Sequence, residues 1–301
     1  MTAETTIPDL VLAGDATFEE AAYLLLYKHI PKRSELIAFR TRLAKARTLP
    51  LQVIELIRIL RHARPMTVLR TAICALGAVQ EQKADRAERI DARERLFARL
   101  PVIIATHHAF RLGLPLPVPD TGFGYSRNLL AMLGLEHDER RAHLTDLLLI
   151  TQAESGAGAA AFTARVVAKT QADVYSAISS AVGALDGLTK GPTERFLAMV
   201  DEIGEPARVE EYLRAKRIPA FANEDPRARH IKAATQELGP TPTLAILEEL
   251  ARFGADPGIN GYAIALAQRL GLLDDLVVPL SAVSRVAGWL ADIDDELGGA
   301  A

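Results

Sequence analysis

Apolar residues recur three and four positions apart along almost the whole chain, and this periodicity confines it to a helical fold. No run of β-branched residues alternates with period two between turn residues, so no sheet is expected. Thr17-Phe18-Glu19-Glu20 reads as a capping box, after which Phe18, Ala21, Ala22, Leu25 and Leu26 share one helical face. Ser34 is the expected cap of a second helix burying Leu36, Phe39 and Leu43. Further helices are predicted from about Leu51 to Leu60, from Met66 to Val79, over Tyr125–Leu133 and over Glu139–Gln152. Asp225-Pro226 and Thr241-Pro242 each set a capping side chain before a proline suited to the first helical position. Gly183, Gly187, Gly204, Gly239 and Gly254 stand where helix ends are expected.

Two clusters of helix breakers divide this pattern. Residues 188–193 (Leu-Thr-Lys-Gly-Pro-Thr) form the first, and residues 253–261 (Phe-Gly-Ala-Asp-Pro-Gly-Ile-Asn-Gly) the second. Short helices lie between them and strongly apolar helices follow. The expected organisation is a large domain, 1–188 and 263–301, interrupted by a smaller one, 189–262. Residues 82–99 alternate in charge sign, which predicts a solvated helix face with i,i+4 pairs. Pro115, Pro117 and Pro119 stiffen a loop ending at Asp120.

Composition narrows the function. The 301 residues carry 35 Lys and Arg against 38 Asp and Glu, a net charge of −3, so the basic excess of a nucleic-acid binder is absent. With one cysteine, Cys74, neither an internal disulfide nor a cysteine-rich zinc site can form, which suits a reducing compartment. The polar, acidic N-terminus has no secretion signal, and no apolar run reaches the roughly 18 residues of a membrane span. A soluble cytoplasmic protein is expected.

The motifs alone assign no chemistry. Gly156-Ala157-Gly158-Ala159-Ala160 opens an apolar helix without the preceding strand that a dinucleotide site needs, so its small residues point to close helix packing. His107 and His108 are adjacent in an apolar helix and point about 100° apart, which favours a core or interface role over metal binding. His29, His62, His137, His143 and His230 stand alone. No metal or prosthetic group is expected.

Four stretches go further. Thr17 to Tyr27 (TFEEAAYLLLY) is followed by Ile30-Pro31, and Arg64 to Ala72 reads RPMTVLRTA. Phe162 to Ala168 (FTARVVA) is followed by Asp173-Val174-Tyr175-Ser176-Ala177, and Ser284 to Leu290 reads SRVAGWL. In this order they resemble the citrate synthase and methylcitrate synthase family. The resemblance implies an all-α fold in which a small domain closes over a cleft, and a dimer with the helices around the cleft at its interface. In that family the cleft binds oxaloacetate and an acyl-CoA. A carboxylate removes a proton from the acyl methyl, one histidine stabilises the enol and a second polarises the keto group.

Against that pattern the chain departs at each acid–base position. Where the family has Pro-Leu-His-Gly-Gly-Ala-Asn, residues 188–193 place Lys190 (or Thr189) at the histidine. Where it has Gly-Phe-Gly-His, Ala220-Phe221-Ala222-Asn223 places Asn223. The catalytic aspartate follows Pro-Asn-Val, and here Asn260 follows Pro257-Gly258-Ile259. A substrate-binding His-Ala-Asp-His segment matches Gln152-Ala153-Glu154-Ser155. An amide is not a base, so neither Asn260 nor Asn223 can shuttle a proton, whereas Lys190 could stabilise an enolate. Losing one general acid or base costs about 10²–10⁴-fold in rate. Asn223-Glu224 runs directly into Asp225-Pro226-Arg227 without the family's CoA loop, so CoA binding is not expected. The family's C-terminal arm is likewise not expected, since Glu296-Leu297 is followed by only a few residues to Ala301.

Arg227 and Arg285 match the arginines that clamp oxaloacetate in the family, and guanidinium groups suit bidentate carboxylate binding. They support equally a surviving dicarboxylate site or salt bridges within a filled cleft. Two functions follow. The favoured one is a non-catalytic or regulatory homologue, forming a homodimer or a heteromer with a citrate synthase paralogue. The other is a divergent enzyme joining or cleaving an acyl-CoA and a 2-oxo acid, with Lys190 and Glu154 as acid–base groups and the two arginines as clamp.

Overall fold

The computed structural model describes residues 14–79, 86–153, 158–186, 192–216 and 226–298, together with Ile7. These residues form fifteen α-helices and one short 3₁₀ turn, with no strand among them. The helices are α1 Phe18–Tyr27, α2 Arg33–Ala46, α3 Leu51–Ile59, α4 Pro65–Val79, α5 Arg86–Leu112, α6 Tyr125–Met132 and α7 Glu139–Gln152. They continue as α8 Gly158–Lys169, α9 Val174–Leu185, α10 Pro192–Ile203, α11 Val209–Lys216, α12 Pro226–Glu237, α13 Pro242–Arg252, α14 Gly258–Arg269 and α15 Asp274–Glu296. The all-α expectation holds.

Capping explains several helix starts. Thr17 and Glu20 form the predicted box: the Thr17 N–H donates to the Glu20 carboxylate at 2.8 Å, and the Glu20 N–H to Thr17 Oγ1 at 3.4 Å. Thr241 Oγ1 accepts from the Leu244 N–H at 2.9 Å. The expected Ser34 cap is displaced, because α2 starts at Arg33 and the Lys32 N–H donates to Glu35 at 2.7 Å. Asp225 lies outside the described residues. Gly204, Gly239 and Gly254 end helices with positive φ, the conformation glycine tolerates best. Gly183 instead lies inside α9, where an added Cβ would stand 3.3 Å from Arg70 Cδ. The breaker cluster at 253–261 is half helical, since α14 already begins at Gly258.

Helix α15 runs through the middle of the core, touching α1, α4, α5, α7, α8, α9, α10 and α14. Trp289 on it is 1% exposed. It is long and apolar enough to cross a membrane, which the sequence reading did not find. Most of its apolar window is buried inside the protein, as a core helix requires. Helices α4 and α9 meet closely at Gly77, where an added Cβ would lie 2.9 Å from Tyr175 Cβ. Helices α10, α13 and α14 pack together, while α12 and α14 also reach α7. The boundary expected after residue 188 lies outside the described residues, and the one after 262 falls inside α14.

The charged strip departs from the solvated face expected of it. Arg93 and Glu94 are buried. Glu94 accepts from Arg42 Nε at 2.7 Å and Nη2 at 2.8 Å, and from the Tyr27 hydroxyl. Arg93 pairs with Asp294 and lies over the Tyr27 ring, 5.1 Å from its centroid. The alternation of charge therefore serves contacts with α1, α2 and α15 as well as solvent.

Candidate functional site

Of the residues assigned to a site, the described ones, Gln152, Arg227, Asn260 and Arg285, lie on four helices, α7, α12, α14 and α15. Asp138 caps α7 by accepting from the Arg141 N–H at 2.8 Å. At the other end of α7, Thr151 and Gln152 are buried. Arg227, the second residue of α12, donates from Nη1 to the Thr151 carbonyl at 3.2 Å. A guanidinium there meets both an open carbonyl and the negative end of the helix dipole.

Gln152 turns its carboxamide inward. With Leu148, Leu149, Ala267, Val277, Leu280 and Ser284 it borders a small chamber of about 10 Å³. That is about the room one water occupies. Gln152 Oε1 is buried without a hydrogen-bond partner among the described residues. Ser284 donates to the Leu280 carbonyl at 3.0 Å, and Arg285, the next residue on α15, is half-buried. Asn260 stands half-buried in the first turn of α14. The Gly258 N–H donates to Asp256 Oδ1 at 2.9 Å, and Gly258 takes a φ of +60°. Lys190, Asn223 and Glu154 lie outside the described residues.

Two further features leave no local signal in the sequence. A cleft of about 570 Å³ opens where the α3–α4 turn, the end of α5, α10 and the start of α15 meet. That volume is in the range of small-molecule sites. Ion pairs close over it, Arg64 with Asp186 at 3.2 Å and Arg111 with Asp275 at 2.5 Å. Near it, His107 is buried, and burial followed by the nearby Arg111 charge lowers its pKa to about 4. Burial likewise lowers His108. Both histidines are core residues, and among the described residues no group of three His, Cys, Asp or Glu could hold a metal.

The second feature is Asp146 in the middle of α7. It accepts from the Phe18 N–H at 3.0 Å and from the Ser126 hydroxyl at 2.6 Å. Burial, and then the Glu19 charge, raise its pKa to about 7. Long-range helix capping of this kind leaves no local spacing to read.

Comparison with known proteins agrees with this architecture. The family described as citrate synthase, C-terminal domain, matches residues 3–299. "Citrate synthase 2" of Bacillus subtilis is 33% identical, covering 94% of this chain and 82% of that protein. The 2-methylcitrate synthase of Mycobacterium tuberculosis is also 33% identical, covering 95% of this chain and 78% of that protein. The crystal structure of citrate synthase from Thermotoga maritima superposes with a TM-score of 0.84 at 28% identity, covering 96% of this chain and 83% of that one.

Proposed function

Because this chain belongs to the citrate synthase family, we propose that it is a member that keeps the helical scaffold and has lost the proton-transfer chemistry. The observation that carries this reading is Asn260, in the first turn of α14 at the position that the resemblance gives to the catalytic aspartate. A carboxamide cannot take a proton from an acyl methyl. Lys190 and Asn223 at the two histidine positions point the same way. The relatives are named as synthases, so the proposal separates this chain from them in activity. Citrate formation from oxaloacetate and acetyl-CoA tests it directly, with Asn260→Asp beside the native chain. Neither protein is expected to turn over, since the histidine positions stay substituted.

The protein then acts as a structural or regulatory homologue, either as a homodimer or beside a citrate synthase paralogue. Phe162, 61% exposed, and Val166, 45% exposed, lie one turn apart on α8 and offer an apolar face for that contact. Size measurement alone and after co-expression with a paralogue distinguishes the two. The small number of cysteines and the absence of a basic excess fit a cytoplasmic protein without nucleic-acid partners.

Arg227 and Arg285 favour the second reading, a divergent enzyme whose clamp holds a carboxylated substrate beside Lys190. Under it, Lys190→Ala abolishes a turnover that acyl-CoAs and 2-oxo acids reveal in the native chain. Equal rates for the two proteins remove this reading.

A further inference from the structure

The cleft of about 570 Å³ lies apart from the residues that the resemblance assigns to a site, since none of Gln152, Arg227, Asn260 and Arg285 lines it. Its wall holds six charged side chains. Two are guanidinium groups, and each already meets a carboxylate of the same wall. Arg64 donates from Nη1 and Nη2 to the two oxygens of Asp186, both at 3.2 Å, and Arg111 pairs with Asp275 at 2.5 Å. Asp201 on α10 and Asp274 at the start of α15 complete the set. Neither forms an ion pair among the described residues, and Asp274 accepts a hydrogen bond from the Gln268 amide at 2.7 Å.

With His62 counted as neutral, two Arg against four Asp give this wall a net charge of −2. A concave site of one sign focuses its field, so the cleft draws cations and repels anions such as oxaloacetate and acyl-CoA. The cation is organic rather than a metal ion, because among the described residues no three His, Cys, Asp or Glu converge as ligands. A quaternary ammonium is favoured by an aromatic cage, and the described wall contains no Phe, Tyr or Trp. Met66, Leu197, Val278 and Pro279 offer apolar surface to methylene groups instead. Two carboxylates without a guanidinium, one on each of two helices, suit two primary ammonium groups, each a compact donor of three hydrogen bonds.

We propose that this cleft binds an aliphatic diamine, with its ammonium groups on Asp201 and Asp274 and its methylene chain over the apolar wall. Bound there, the diamine bridges α10 and α15. The wall's paired guanidinium groups keep their own carboxylates and leave the other two to the ligand. Such binding is independent of whether the chain makes citrate.

Calorimetry and thermal shift on the full chain test this with diaminobutane, aminobutane, butanediol and succinate as probes. The diamine should raise the melting temperature most and the monoamine less, while the diol and the dianion leave it unmoved. Added salt should weaken the diamine's effect. Asp201→Asn and Asp274→Asn should each lower the affinity for the diamine by about 2–5-fold, and the double variant by about 4–25-fold. Both side chains stand at exposed positions, so the variants should fold. Ala198→Leu narrows the cleft at unchanged charge and should also weaken binding. Glu139→Gln removes an exposed charge that does not line the cleft and should leave binding as it is. No shift with the diamine, an equal shift with the diol, a double variant that binds like the native chain, or an equal loss in Glu139→Gln overturns the proposal.

Discussion

The carboxylate of Glu94 lies against the guanidinium of Arg42, 2.7 Å from Nε and 2.8 Å from Nη2, and joins α5 to α2. Glu94 is 3% exposed, whereas nearly half of the Arg42 side chain faces solvent. Removing the arginine leaves a buried charge with, among the described residues, the Tyr27 hydroxyl as its remaining hydrogen-bond donor. Arg42→Ala should destabilise the protein by about 1–3 kcal/mol, read from the midpoint and slope of denaturant unfolding. Arg42→Lys, which restores charge but not the fork, should recover only part of the loss.

Acid should act through His107. Its folded pKa, about 4, lies below the ordinary histidine value, so the unfolded chain binds the proton more tightly. Stability is then fully present above about pH 6.5 and is lost as pH falls toward 4, by about 1–3 kcal/mol. Replacing His107 by Gln should flatten the acid limb of a stability–pH curve. An unchanged limb would show that another group titrates.

Close packing at Gly77 predicts a steric effect. A Cβ there would stand 2.9 Å from Tyr175 Cβ, with helix backbone behind both atoms. Gly77→Ala should lower the melting temperature despite alanine's better helix propensity, by the equivalent of about 1–3 kcal/mol. A variant at least as stable as the native protein would mean that α4 and α9 separate easily.

Ligand binding can be read by thermal shift with oxaloacetate, citrate, acetyl-CoA and CoA. A ligand that prefers the native state raises the midpoint according to its concentration and affinity. Under the proposed function CoA should give no shift. If Arg227 and Arg285 hold a dicarboxylate, oxaloacetate or citrate gives one, and Arg285→Ala removes it.

Much of the fold was legible because amphipathic helices are local. Phe18, Phe39 and Leu43 were expected in the core and are buried there, whereas Leu36, expected with them, is only half-buried. The caps at Thr17 and Thr241 followed from spacing alone. The buried half of the charged strip was not legible, because the partners of Arg93 and Glu94 lie on α1, α2 and α15. The same reason hid Asp146, whose partners are 128 and 20 positions away. In the candidate site, family resemblance marked Gln152, Arg227, Asn260 and Arg285. It could not show that Gln152 borders a small chamber or that Arg227 binds the end of α7.

The central claim concerns chemistry, and one assay tests it most directly: citrate formation by the purified chain from oxaloacetate and acetyl-CoA at neutral pH. On the proposed reading, which sets Asn223 and Asn260 at two proton-transfer positions and Lys190 at the third, no product forms above the rate without protein. Turnover in the ordinary enzymatic range, about 1–10³ s⁻¹, would contradict it.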